Sequence, residues 1–183
     1  LSKSVDGRLL FDKVSFTVEQ KDKIAFLSQD PLAVTQLFEI INGKSQADKG
    51  TYEWGVTITP AYLPLENSHY FEQDLTLIDW LRQYVPDHVT DADEPFIRGF
   101  LGRMLFSGEE VFKKTSVLSG GEKVRSILSM MMLQSPNCII LDQPTNHLDL
   151  ESIQAFNEQC VAYKGIVLLS SHDKTFMQTV ANR

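Results

Sequence analysis

Asp142 ends an apolar run, NCIIL, and is followed by QPTNHLD. A carboxylate at the C-terminal end of a buried strand sits where α/β sheets bind ligands, and it can hold a nucleotide's magnesium, usually through water. A lone aspartate after a hydrophobic strand says little, but the QPTNHLD behind it is far more specific. VLSGGEK (117–123) is a second stretch of this kind. Leu118 is apolar, Ser119 can cap a helix, and Gly120 and Gly121 let the backbone approach a ligand closely. The helix that follows through Leu133 points its free N–H groups and positive dipole end at an anion. LLSSHD (168–173) is the third, and brings His172 to the same sheet edge. Taken singly, SGG is an ordinary helix start and a lone histidine is more often structural. Their order along the chain decides between these readings.

KIAFLSQDPLAVTQLFEIINGK (23–44) raises the opposite question. A buried strand runs through Ile24 to Leu27, and a helix begins near Pro31, with Gly43 near its C-cap. Between them a phosphate-binding protein places glycines and a lysine. Here the residues are Ser28, Gln29, Asp30, Pro31, Leu32, Ala33 and Val34. The GKS at 43–45 lies past the helix, and Phe38 stands where its first glycine belongs.

The elements that must position these residues follow from periodicity. LLFDKVSFTV (9–18) alternates like a half-buried strand, KIAFLS reads as a fully buried one, and TYEWGVTITPAYL gives two short strands around Gly55. From Phe71 to Leu133 the pattern is helical, in LTLIDWLRQY, PFIRGFLGRMLF and SGGEKVRSILSMMML. NCIILD and GIVLLSS are buried strands, and ESIQAFNEQCVAY and DKTFMQTVA are helices. Buried strands alternating with helices predict an α/β fold with a mostly parallel sheet. The Met run at 130–132 reads as core packing.

At 183 residues the chain fits one domain with a subdomain and can bury a real core. Its 43% apolar and 22% charged residues are ordinary for a globular protein. No apolar run approaches the roughly 20 residues of a membrane span, so membrane insertion is not expected. With a formal charge of −7 and no Lys/Arg-rich run, this segment is not expected to supply the main contacts to nucleic acid. Cys138 and Cys160 have no metal-ligand spacing and read as structural thiols of a reducing cytoplasm. Leu1 in place of Met, and Arg183 in mid-pattern, read as an excised piece of a longer chain.

LSGGEK, a helix, a strand with D-x-P-T-N-H-L-D and then strand-SHD together resemble the ATP-binding-cassette ATPases. Within them the chain looks like the ABC-F class, soluble two-cassette proteins that act on ribosomes, and like their second, C-terminal cassette. The resemblance covers essentially the whole of 1–183 as one cassette. It implies a RecA-like, mostly parallel core with a small antiparallel β region (1–70 and 134–183) and a helical, signature-bearing insertion (71–133). It puts the signature on Leu118, Ser119, Gly120, Gly121 and Glu122, Walker B on 138–142 with Asp142 as magnesium ligand, the D-loop on Asn146, His147, Leu148 and Asp149, and the switch histidine on His172.

The same resemblance makes the departures readable. Aligned without gaps, the glycines of the family's phosphate loop fall on Ser28, Pro31 and Ala33, its lysine on Val34 and its magnesium-binding hydroxyl on Thr35. Pro31 lacks an N–H, and Val34 lacks the charge that meets the β- and γ-phosphates. Val5 stands where an adenine-stacking aromatic is expected, Leu65 where a glutamine is expected, and Gln143 at the position of the catalytic glutamate. A carboxamide can hold a water but cannot take its proton as a general base. Losses at several positions around one pocket read as natural decay rather than a single engineered change.

Cassettes of this family pair head to tail around two ATP molecules, each site taking its signature from the opposite cassette. The resemblance therefore implies a degenerate second cassette that completes its partner's site, with ATP and Mg²⁺ bound weakly or not at all in its own. Asp142, Thr35 and His172 leave room for weak binding. The partners implied are a second cassette in the same chain and, through parts outside this segment, the ribosome. Two alternatives stay open: the nucleotide-binding domain of a membrane transporter, and a structural pseudo-ATPase that binds no nucleotide. A DNA-repair head of the SMC type fits less well, because no coiled-coil heptads interrupt the chain.

Overall fold

The chain opens with a small antiparallel hairpin, β1 (Lys3–Val5) and β2 (Arg8–Phe11). Asp6 and Gly7 turn it, both at positive φ (50° and 78°), as a tight Asp-Gly turn requires. The computed structural model describes residues 1–183. By its internal contacts it divides into two units, one of residues 1–65, 137–143 and 164–183 and one of 66–136 and 144–163.

The first unit is built on a four-stranded parallel sheet. After β3 (Lys23–Ala25) the chain enters α1 (Pro31–Ile41) and returns as β4 (Pro60–Leu63). In the second unit it forms α2 (Leu77–Arg82), α3 (Glu94–Arg103) and α4 (Gly120–Gln134). β5 (Cys138–Asp142) rejoins the sheet, α5 (Leu150–Ala162) belongs to the second unit, and β6 (Ile166–Ser170) and α6 (Lys174–Val180) complete the first. The strand order is β3-β6-β5-β4. Every residue of β5 and β6 is buried, which is why both read as unbroken apolar runs. Ile24, Phe38, Ile140 and Leu168 lie in the core of this unit, with Phe26 and Trp54 packed on its margin.

Three expectations change. The strand predicted over 9–18 stops at Phe11: Lys13 turns the chain at φ 52°, and the Val14 N–H donates to the Leu1 carbonyl (2.8 Å) rather than extending the β1–β2 ladder. KIAFLS is not buried throughout. Ile24 is buried, but the ladder ends once the Phe26 N–H reaches Leu169, and Leu27 is 76% exposed. Of the two strands expected around Gly55 only β4 forms. The Ile58 N–H closes a turn on the Gly55 carbonyl (2.9 Å), and the Trp54 indole donates to the Ile41 carbonyl at the end of α1 (2.8 Å).

In the second unit α2 buries Leu77, Ile78, Trp80 and Leu81, and the Trp80 ring stacks on Phe71 at 5.0 Å. α3 begins at its cap Asp93 and buries Ile97 and Leu101. α4 carries Val124, Ile127, Leu128, Met130 and Met131 inward, so two of the three methionines at 130–132 are buried, as core packing predicts. Cys138 and Cys160 are buried and form no disulfide, and burial pushes the Cys138 thiol up to about 12, far from a reactive thiolate.

Candidate functional site

The N-terminus of α4 is fixed by a reciprocal pair. Ser119 Oγ accepts from the Glu122 N–H (3.3 Å), and Glu122 Oε2 accepts from the Ser119 N–H (2.8 Å). This capping box is written in the sequence as S-x-x-E, and it occupies two donors that a helix start otherwise leaves unpaired. Glu122 Oε1 meets Lys113 Nζ at 2.7 Å. Burial pushes the Glu122 carboxyl up, but the hydrogen bonds from Lys113 and Ser119 outweigh it and bring it down to about 2. Leu118 is buried as the apolar anchor of the turn, while Ser119 and Gly120 are exposed.

Residues 146–149 belong to the same unit and pack on this helix start. His147 is in the left-handed region (φ 68°), and its carbonyl oxygen lies 2.5 Å from where a Gly121 Cβ would stand. Gly121 is thus required by its neighbour within the fold, a reason the sequence did not reveal. Asn146 and Leu148 are half-buried, and exposed Asp149 caps α5 by accepting from the Ser152 N–H (2.8 Å).

In the first unit Asp142 ends β5 at 2% exposure, paired in register with Ser170 of β6. Its Oδ1 accepts from Ser170 Oγ (2.8 Å), and its Oδ2 has no hydrogen-bond partner. Burial pushes this carboxyl up, and the Thr35 and Ser170 hydroxyls pull it back. A buried, unpartnered carboxylate oxygen beside a threonine hydroxyl is a donor set suited to Mg²⁺, so Asp142 and Thr35 fit that ion. Gln143 follows at φ 51°. Its N–H donates to the Ser170 carbonyl (3.0 Å), and its side-chain Oε1 accepts from the His172 N–H (3.1 Å). The carboxamide thereby clasps the segment carrying His172, whose side chain is exposed. Sequence reasoning singled out Gln143 and His172 but missed Ser170, whose only signal was a serine closing a strand of aliphatics.

The loop before α1 differs in kind. Ser28 and Pro31 are exposed, Thr35 is half-buried, and Ala33 and Val34 are buried (6% and 7% exposed). Asp30 caps α1 by accepting from the Leu32 N–H (3.2 Å), its own N–H donates to Ser28 Oγ (3.1 Å), and its carboxylate pairs with Arg8. Pro31 at the first turn marked the start of this helix in the sequence; the cap Asp30 and its distant partner Arg8 were not singled out there. Val5 ends β1 and Leu65 is 52% exposed.

Residues 11–146 match the family model described as "ABC transporter". The chain belongs to the ABC transporter family. ABC domains of this kind bind ATP with Mg²⁺ and work in pairs. The chain is similar to the uncharacterized ABC transporter ATP-binding protein YkpA of Bacillus subtilis, 59% identical across 100% of this chain and 34% of the relative. It is also similar to ABC transporter F family member 5 of Arabidopsis thaliana, 31% identical over 97% of this chain and 25% of that one. The chain thus spans about a third or less of the curated relatives it matches. Among solved structures, a dimeric ATP-binding cassette in a post-hydrolysis state, bound to ADP and phosphate, superposes with TM-score 0.74 at 14% identity, covering 98% of this chain and 88% of that one. At that identity the likeness shows the ABC fold. No helix of this chain is long and apolar enough to cross a membrane.

Proposed function

We propose that this ABC domain is the second, C-terminal cassette of an ABC-F-type ATPase, with a degenerate ATP site of its own and an intact signature that completes a partner cassette's site. Likeness to an F-family member supports the class. The single observation that carries the reading is the contrast between two helix starts. Before α1, at Ser28 to Val34, no glycine or lysine is present, and Ala33 and Val34 face the core. At α4, Ser119 and Gly120 are exposed on a capped, anion-favouring N-terminus.

In this reading Leu118, Ser119, Gly120, Gly121 and Glu122 act in trans, with Ser119 and the glycine N–H groups meeting the γ-phosphate held by the partner. Asn146, His147, Leu148 and Asp149 pack beside them as the D-loop. In the chain's own site Asp142 and Thr35 would hold Mg²⁺, and a nucleotide's phosphates would supply the ion's remaining oxygens. Ser28, Pro31, Ala33 and Val34 offer those phosphates no charge and few donors. Gln143, at the catalytic-glutamate position, keeps its carboxamide on the His172 backbone and cannot act as a base. The dimeric ADP-bound cassette of the same fold supports pairing with a second cassette, placed in the same chain by the ABC-F reading. That class also places the protein in the cytoplasm and at the ribosome.

Isothermal titration of this chain with ATP–Mg²⁺ tests the degenerate half of the proposal. No binding tighter than millimolar is expected; a micromolar site seated at residues 28–35 would overturn it.

A further inference from the structure

The loop before α1 carries a charge of its own where a nucleotide's phosphates would need positive surroundings. Pro31 has no N–H to offer. The next two donors of the helix start are engaged by one residue: the Leu32 N–H donates to Asp30 Oδ1 (3.2 Å) and the Ala33 N–H to the Asp30 carbonyl (3.0 Å). The other carboxylate oxygen, Oδ2, pairs with the guanidinium of Arg8, which reaches across from β2. Ser28 Oγ, at a former glycine position, accepts from the Asp30 N–H and braces the turn. A helix N-terminus stabilises a nearby negative charge, and an arginine pairs with one bidentately. Both features would serve a phosphate, and here both serve a side chain.

We propose that the Asp30 carboxylate, held by Arg8 and by the α1 N-terminus, is an internal anion that takes the place of nucleotide phosphate and keeps this loop formed without ligand. The inference deepens the proposal that residues 28–35 are a former phosphate loop, and rests on it. It adds that the loop excludes phosphate actively, by like charge and occupied donors, beyond lacking a lysine. It also explains how α1 can start in a fixed place with no glycine cradle and no bound nucleotide. The exposure of Arg8, 66% at its side chain, leaves its guanidinium available to an outside anion once Asp30 is neutral.

The test uses the full-length protein and reads this loop alone, by hydrogen–deuterium exchange of peptides spanning residues 26–41. The probe is sodium tripolyphosphate without metal. Asp30→Asn keeps a side chain that caps helices well but removes the charge, and Asp30→Ser serves as a second neutral cap. Thermal melts check that both fold. The parent should show no added protection, and both variants should be protected with half-saturation at least tenfold below any seen in the parent. Adding Arg8→Ala to Asp30→Asn should reverse most of that gain. If the parent and both neutral variants respond alike, with none protected, the internal anion is overturned while the degenerate loop stands. If Arg8→Ala leaves the gain intact, the pairing with Arg8 is overturned. Protection of the parent itself by micromolar ATP–Mg²⁺ would overturn the degenerate loop and the internal anion together.

Discussion

The carbonyl oxygen of His147 lies 2.5 Å from the point a Cβ on Gly121 would occupy, closer than any real side-chain carbon comes to a backbone oxygen. The start of α4 and the 146–149 loop therefore hold each other in position inside one unit. Gly121→Ala must push that loop aside and should lose about 1–3 kcal/mol of stability. Gly120→Ala meets only the His147 side chain, at 3.5 Å, so ordinary contact and a helix-propensity gain of up to about 1 kcal/mol should leave it neutral or slightly more stable. Urea midpoints of the two variants check the contrast, and equal losses would contradict it.

Glu122 makes the same helix start sensitive to acid. Its carboxyl titrates near 4.5 when unperturbed and about 2 in the folded chain, so the native state binds its proton less readily than the unfolded one. The stabilisation is fully present above pH 4.5 and is lost as pH falls from 4.5 toward 2. Glu122→Gln keeps an acceptor for the Ser119 N–H but cannot titrate. Its stability, followed by urea midpoint, should fall less steeply than the parent's across that window. An unchanged slope would mean that Lys113 and Ser119 do not hold the carboxylate.

Placing a lysine at position 34, where the degenerate-loop proposal expects one to have been lost, should fail for a structural reason. Val34 is buried in the core with Leu37, Phe38 and Ile140. Val34→Lys must bring an ammonium into that core or distort α1, with a loss on the order of 3 kcal/mol. Calorimetric melting should show the loss, and ATP titration should show no gain in binding. A stable Val34→Lys variant that binds ATP tightly would mean that α1 can rotate this position to the surface.

Much of this was legible. CIILD and IVLLS read as buried parallel strands because they lie between neighbours on both edges, and apolar periodicity alone reveals that. Ser119 and Pro31 marked the starts of α4 and α1 because helix caps and first-turn prolines are local chemistry. What escaped was set by partners distant in sequence. Leu1 captures Val14 and ends a strand that alternation had extended, Arg8 finds Asp30, and the His147 carbonyl dictates Gly121. Leu27 looked buried because its neighbours are apolar, yet the ladder stops before it.

Gln143→Glu tests whether the chain's own site lacks only its base. A carboxylate can still accept from the His172 N–H, so the local clasp should survive. With no lysine and no glycines at 28–34 to seat phosphates, steady-state ATP hydrolysis by the full-length protein should stay nearly unchanged. A tenfold rise, about 1.4 kcal/mol of transition-state stabilisation, would mean that ATP binds there productively.

The central claim is that this cassette works through its signature and not through its own loop. The most direct measurement is steady-state ATP hydrolysis by the full-length protein carrying Ser119→Arg, beside Gln29→Ala in the exposed loop. Ser119→Arg removes a helix cap, a loss of about 1 kcal/mol, so thermal melts must show both variants folded. A bulky cation at the start of α4 should block the partner's γ-phosphate and abolish most turnover, while Gln29→Ala hydrolyses ATP like the parent. A folded Ser119→Arg protein with parental activity would contradict the account and leave this domain a scaffold.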